Sequence, residues 1–190
     1  MELWNAIVGR RSCRKFTPAP IREEDLRKIL EAATWAPSPA NNQPWQFVIV
    51  TNKEVKTRLH SACLESKTEA LEKSGWRWLG KYEIDFLLEA PIIVAVVGDP
   101  SGTGVDQFIG ETRDGYKYAC AAAIQNMLLM AHSLGLAGLW YTLFDQKTIM
   151  SLLNVPDDRT VCALVCLGTP GGEPLQTPRK PVDELLRRID

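Results

Sequence analysis

The run Pro91-Ile92-Ile93-Val94-Ala95-Val96-Val97 contains no polar side chain and is followed at once by Gly98-Asp99-Pro100. It is too short for a core helix and rich in β-branched residues, so it reads as a buried strand. Such a strand needs neighbours in its sheet and a cover over its faces. With 190 residues, 45% of them hydrophobic and 24% charged, the chain is long enough to supply these as one domain, residues 1–190.

Periodicity places the other elements. Leu3, Trp4, Ile7 and Val8 recur at helical spacing over 2–9, and Leu26, Ile29, Leu30 and Ala33 do so over 23–36, where Glu23, Glu24 and Asp25 suit a helix start. Further helices are predicted over 53–74, 82–89, 114–134 and 145–153, and strands over 45–50, 137–144 and 160–168. The stretch DPSGTGVD at 99–106 is a loop, and the proline-rich end from Thr169 runs over the surface to a last short helix or strand. Helices alternating with apolar strands point to a parallel α/β sheet. The phosphate loops of that class are missing. Gly98, Gly102 and Gly104 are followed by Gln107 where the third glycine of GxGxxG belongs, and no GxxxxGK[ST] occurs. Any phosphate must therefore be held by side chains.

A formal net charge of −1 gives the chain no field for nucleic acid or an anionic membrane. The five cysteines, at 13, 63, 120, 162 and 166, show neither CxxC nor zinc spacing, so reduced thiols in the cytosol and no metal are expected. The opening MELWNAIVGRR has an acid at position 2 and no long apolar run, and neither a signal peptide nor an anchor is expected there. The apolar stretch at 118–141 is interrupted by Gln125, Asn126, His132 and the glycines at 135 and 138, which fits a buried helix followed by a strand.

Against that neutral background, Arg10-Arg11-Ser12-Cys13-Arg14-Lys15-Phe16 concentrates positive charge at one point. Guanidinium forks and a neighbouring hydroxyl suit a phosphate dianion; a solvated basic loop is the alternative. A second stretch, Ala36-Pro-Ser-Pro-Ala-Asn-Asn-Gln-Pro-Trp45, is a rigid loop that presents amides and backbone groups, as the edge of a uracil-like ring requires; an ordinary helix-to-strand turn is the alternative. A third is GLAGLWYTLFD at 135–145, and a fourth is Pro178-Arg179-Lys180-Pro181.

In order and spacing, from Ala6 to about Glu184, these four stretches resemble the FMN-dependent nitroreductase family. The resemblance implies an α+β fold with a mixed, mostly antiparallel central sheet flanked by helices, in a homodimer with flavins at the interface. That replaces the parallel sheet. By position, Arg10 and Ser12, with Arg179 and Lys180 from the tail, are similar to the family's FMN phosphate site, and Arg11 lies in the same motif. Arg14 resembles the cation at the pyrimidine end of the flavin. Pro37, Ser38, Pro39 and Asn41 resemble the loop that reaches the flavin held by the other subunit, with Gln43 anchoring it. Leu139, Trp140, Tyr141, Thr142 and Leu143 would pass over the other face, with the backbone N–H near Thr142 approaching flavin N5. Lys81 is the candidate for a further ring-edge cation. Residues 64–89, with Trp76, Trp78 and Tyr82, fall in a region that varies in the family and often lies over the substrate.

The function implied is an oxidoreductase that takes electrons from NADH or NADPH through FMN to a nitroaromatic, quinone or related acceptor by a ping-pong mechanism, with Arg14 and Thr142 as the catalytic pair. No specialised motif marks a deiodinase, a flavin-fragmenting enzyme or a peptide-modifying dehydrogenase. A flavin-binding sensor or carrier, and a phosphoanion-binding regulatory domain, are the other classes. Cys13, inside the basic motif, could be a redox thiol or a packed residue. Cys162 and Cys166, four apart on a strand, are expected to face the same side, and His60 and His132 lie on separate helices with no nucleophile motif.

Overall fold

The computed structural model describes residues 1–109 and 112–189. The apolar run forms β2 (Ile92–Gly98), and all of it is buried. Ile92, Val94 and Val96 pack on one side against α2 (Glu23–Thr34) and α6 (Gly115–Ser133). Ile93, Ala95 and Val97 pack on the other side with α3 (Lys53–Ser74), α5 (Phe86–Glu89) and α7 (Gln146–Leu152). The period-2 alternation of a strand thus feeds two cores, which is why no polar position survives in it.

The sheet has four strands in the order β1 (Trp45–Val50), β2, β4 (Thr160–Gly168) and β3 (Ala137–Tyr141), all antiparallel. The parallel reading of the helix–strand alternation is overturned. Val50 at the end of β1 pairs with Ile93 at the start of β2, so the excursion through α3 and α5 returns to the end of the sheet it left. Periodicity identifies elements and carries no information on strand direction. An isolated parallel bridge between Ser12 and Gly138 lies beside β3, outside the four antiparallel strands, and the antiparallel sheet flanked by helices agrees with the α+β fold that the resemblance implies.

Several boundaries move. The helix expected over 82–89 is only α5, and an unforeseen four-residue helix, α4 (Arg77–Gly80), precedes it. The strand expected to reach 144 ends at Tyr141, and the tail forms only a 3-10 turn at Val182–Glu184. In β4 a bulge opposite Val96 and Val97 leaves Cys162 between the paired Val161 and Ala163. An extra residue reverses the alternation beyond it. Cys162 therefore lies against the α6 core and Cys166 in the α3 core, on opposite faces.

Helix ends are closed by local chemistry. Asn52 accepts a hydrogen bond from Val55 N at 3.0 Å to start α3, and Gly75, at φ 66°, ends it. Asp145 does the same for α7 through Thr148 N at 2.9 Å. The start of α6 is closed from outside the helix, where Asp106 Oδ2 accepts from Gly115 N at 2.7 Å and from Thr103 Oγ1 at 2.9 Å. Among the described residues, no helix is long and apolar enough to cross a membrane.

Candidate functional site

The basic motif begins where α1 (Leu3–Gly9) ends. Arg10 donates its backbone N–H to Ala6 O at 3.1 Å and turns the chain into an extended run. Cys13 N donates to Gly138 O at 3.1 Å, Thr17 N to Thr169 O at 3.0 Å, and Gly171 N to Lys15 O at 2.8 Å. Residues 12–17 are therefore held between the outer edge of β3 and the segment after β4. The buried side chains of Cys13 and Phe16 pin the run to the core, while Arg14 stays exposed and Arg10 and Ser12 half-buried. Gly138 is part of this fit, because a Cβ there would stand 2.5 Å from Leu128 Cδ2. With its thiol donating to Lys15 O at 2.9 Å, Cys13 is a packed residue.

Burial lowers the pKa of Arg10 below its ordinary value, and the like charges of Arg11 and Arg179 lower it further. Arg179 comes from the other end of the chain, where Thr177 Oγ1 accepts from its Nη1 at 2.8 Å. Arg11 turns back onto α1, with Nη1 donating to Val8 O and, at 2.8 Å, to Arg10 O, while its buried Nε has no partner. Lys180 is exposed nearby in sequence. Among the described residues no carboxylate pairs with Arg10, Arg11, Arg14 or Arg179. Cations held together with no internal counter-charge, one with an orphaned buried N–H, fit the phosphate of FMN.

Arg14 points elsewhere. Its guanidinium carbon lies 5.6 Å from the centre of the Tyr82 ring, with Nε donating to Tyr82 Oη at 3.5 Å. Both residues line a cavity of about 320 Å³ whose walls include Trp76, Trp78, Trp140 and Thr142. The parallel bridge explains this, since Ser12 beside Gly138 brings Arg14 level with Trp140. Along β3, Leu139 and Tyr141 bury their side chains and Trp140 and Thr142 face outward. Burial, with Cys63 beside it, drives the Tyr141 phenol far above its usual pKa, and its oxygen has no partner, so Tyr141 is a neutral core residue. Pairing with β4 stops at Tyr141, which leaves the Thr142 backbone beyond the ladder. Lys81 is exposed and does not line this cavity. Tyr82 was legible only as part of a region that varies in the family, because its contact with Arg14 joins positions 68 residues apart.

The loop after α2 is strained. Ala40, Asn41 and Gln43 have φ of 50°, 55° and 47°, and Ser38 Oγ holds the turn by accepting from Gln43 N at 3.0 Å. Such conformations cost ~1–2 kcal/mol per non-glycine residue and concentrate at functional sites. Pro37 and Asn41 are exposed, and Pro39 is backed by Gly104, where a Cβ would stand 2.5 Å from Pro39 Cβ. This loop enters β1 at one edge of the sheet, while Arg14 and Thr142 lie beside β3 at the other edge. Three strand spacings of ~4.8 Å separate those edges by about 14 Å. Within one chain the sheet brings Arg10 and Arg14 beside β3 and keeps Pro37 to Gln43 apart from them.

A sequence model of the nitroreductase family matches residues 7–169. A protein of Archaeoglobus fulgidus, provisionally named NADH dehydrogenase/NAD(P)H nitroreductase, is 29% identical over 178 residues, covering 90% of this chain and 87% of its own. The 5,6-dimethylbenzimidazole synthase of Rhodospirillum rubrum is 31% identical over 189 residues, covering 94% and 83%. Among solved structures, a provisionally described nitroreductase of Desulfovibrio desulfuricans in complex with FMN is similar with a TM-score of 0.76 at 27% identity, over 100% of this chain and 98% of that one. With the match running from the basic motif through β4, this chain belongs to the nitroreductase family of flavoproteins and has its α+β fold.

Proposed function

We propose that the protein is an FMN-dependent oxidoreductase that takes electrons from NADH or NADPH and passes them to a nitroaromatic, quinone or related acceptor. The observation that carries the reading is the pairing of two sites along β3. Arg10, Arg11 and Arg179 supply a charge site that among the described residues pairs with no carboxylate, and Arg14, Trp140 and Thr142 line a cavity next to it in sequence and on the sheet edge. The FMN in the Desulfovibrio structure supports the cofactor, and the name of the Archaeoglobus relative supports the donor.

When bound, FMN supplies the electron transfer, and the chain supplies position and charge. Arg10 and Arg179, with Ser12 and Lys180, hold the phosphate. Arg14, a permanent cation, offsets negative charge at the pyrimidine end, and the backbone N–H near Thr142 orients the reactive edge. Donor and acceptor use the same open face in turn, so no separate nucleotide fold is needed.

The site is shared between two chains of a homodimer. The loop from Pro37 to Gln43 lies across the sheet from its own chain's Arg14, and a second chain can bring its copy there instead. Exposed Leu3, Trp4, Ile7 and Val8 on α1, with Leu175, Leu185 and Ile189 in the tail, offer apolar surface for that contact. All five cysteines are free thiols, which fits a reducing cytosol.

Anaerobic addition of NADH and of NADPH to the purified yellow protein tests the reading. Bleaching of the flavin absorbance, reversed by a quinone, is expected. A colourless protein that cannot be loaded with FMN overturns it, and bleaching without reoxidation by any acceptor marks a flavin carrier instead.

A further inference from the structure

Six aromatic rings form a continuous ladder from the surface to the core. Trp76 and Trp78 have ring centres 6.0 Å apart and planes tilted by 30°; Trp78 meets Tyr82 edge-on at 5.7 Å. Tyr82 meets Phe86 at 6.2 Å, Phe86 meets Tyr141 at 5.3 Å, and Tyr141 reaches Phe144 at 6.5 Å. Phe86 and Tyr141 are buried, so the inner end is fixed by core packing. The outer end is not covered. Trp76 is 60% and Trp78 55% exposed, although α4 itself is anchored by Leu79, which is 3% exposed. A short helix with one buried leucine, a half-bare tryptophan within it and another just before it is not explained by the core. Both tryptophans line the 320 Å³ cavity, together with Arg14, Trp140 and Thr142.

We propose that Trp76 and Trp78 are specificity-determining residues that select fused bicyclic, electron-poor aromatic acceptors over single rings. The inference rests on the function proposed above, since it places the acceptor between the flavin side of the cavity and the tryptophan side. Indole faces carry negative quadrupole density, so a ring depleted of electrons by quinone or nitro groups stacks on them favourably. A second fused ring adds area that only a two-tryptophan platform covers. Among the described residues Arg14 is the one charged residue lining the cavity, and its positive charge opposes a cationic ring there.

The test compares FMN-loaded wild type with the Trp76→Ala/Trp78→Ala protein and the corresponding double Phe protein. The measured quantity is the ratio of kcat/KM for 1,4-naphthoquinone to that for 1,4-benzoquinone. In the Ala protein the ratio should fall about 10-fold, mainly through KM, and in the Phe protein it should recover most of that loss. Equilibrium dialysis of 1-nitronaphthalene against the same holoproteins, without an electron donor, should show affinity weakened to a similar degree. An unchanged ratio with unchanged nitronaphthalene binding overturns the inference. So does an equal fall for both quinones accompanied by loss of the dimer on sedimentation, which would make the tryptophans an interface. If wild type reduces neither quinone yet binds nitronaphthalene through the tryptophans, the proposed reaction fails and the ring preference stands.

Discussion

Arg10, at the end of the first helix, loses proton affinity through burial and through the positive charges of Arg11 and of Arg179 in the last stretch of the chain, and among the described residues no carboxylate pairs with either Arg10 or Arg179. Folding has brought like charges together, which is unfavourable unless an anion joins them. Arg10→Ala and Arg179→Ala should each remove a charge-assisted bond worth about 1.5–3 kcal/mol, weakening FMN binding roughly 10- to 150-fold. The flavin-free Arg179→Ala protein should melt no lower than wild type, because the substitution relieves repulsion on Arg10. FMN titration and thermal melts of the flavin-free proteins check both statements; undiminished FMN affinity in both variants rejects the shared phosphate site.

The loop from Pro37 to Gln43 should respond to backbone geometry as well as to contacts. Ala40 at φ 50° tolerates glycine but not a β-branched residue. Ala40→Val should destabilise by about 1–2 kcal/mol or more, whereas Ala40→Gly should be neutral or gain up to about 1 kcal/mol. Gly104→Ala combines φ 82° with a 2.5 Å approach to Pro39 Cβ and should cost about 2 kcal/mol or more. Denaturant titrations of the three variants decide. Equal stability of Ala40→Val and Ala40→Gly would mean that the loop does not hold this conformation.

Asp106 links stability to pH. Burial pushes its pKa up, but the hydrogen bonds from Gly115 N and Thr103 Oγ1 outweigh burial and hold it below the ordinary carboxylate value. A depressed carboxylate stabilises the fold fully above its unfolded pKa of about 3.9, and that contribution is lost as pH falls below it. Asp106→Asn should therefore melt lower at neutral pH, and the gap to wild type should narrow below about pH 4. Melting curves across the acid range measure this, and a constant gap would remove the carboxylate from the cap of α6.

Much of this architecture is written in local pattern. The apolar run at β2, the acidic start of α2 and the basic motif were all legible because each depends on neighbours in sequence. What depends on pairing was not. The bulge that puts Cys162 and Cys166 on opposite faces arises from the register of β4 against β2, and no residue type announces it. Helix α4 is only four residues long, shorter than any window that reveals a period, and Leu79 forms it by reaching the core. The left-handed residues at 40, 41 and 43 carry no glycine to mark them. At the site, the resemblance already separated Arg10, at the phosphate, from Arg14, at the ring, but that Arg14 stands against Tyr82 in an aromatic cavity follows from the bridge of Ser12 to Gly138.

The most direct test of the central claim, one flavin site built from two chains, uses a mixed dimer. An Arg10→Ala chain is co-expressed with an Asn41→Ala chain under separate tags, and the heterodimer is isolated. If each site joins the basic segment of one chain to the loop of the other, one site carries both lesions and its twin is intact. The heterodimer should then keep close to half of the wild-type NAD(P)H–quinone activity. If each site is made within one chain, both are damaged once, and activity should equal the mean of the two mutant homodimers. That outcome, or a fully active monomer by sedimentation, would contradict the account.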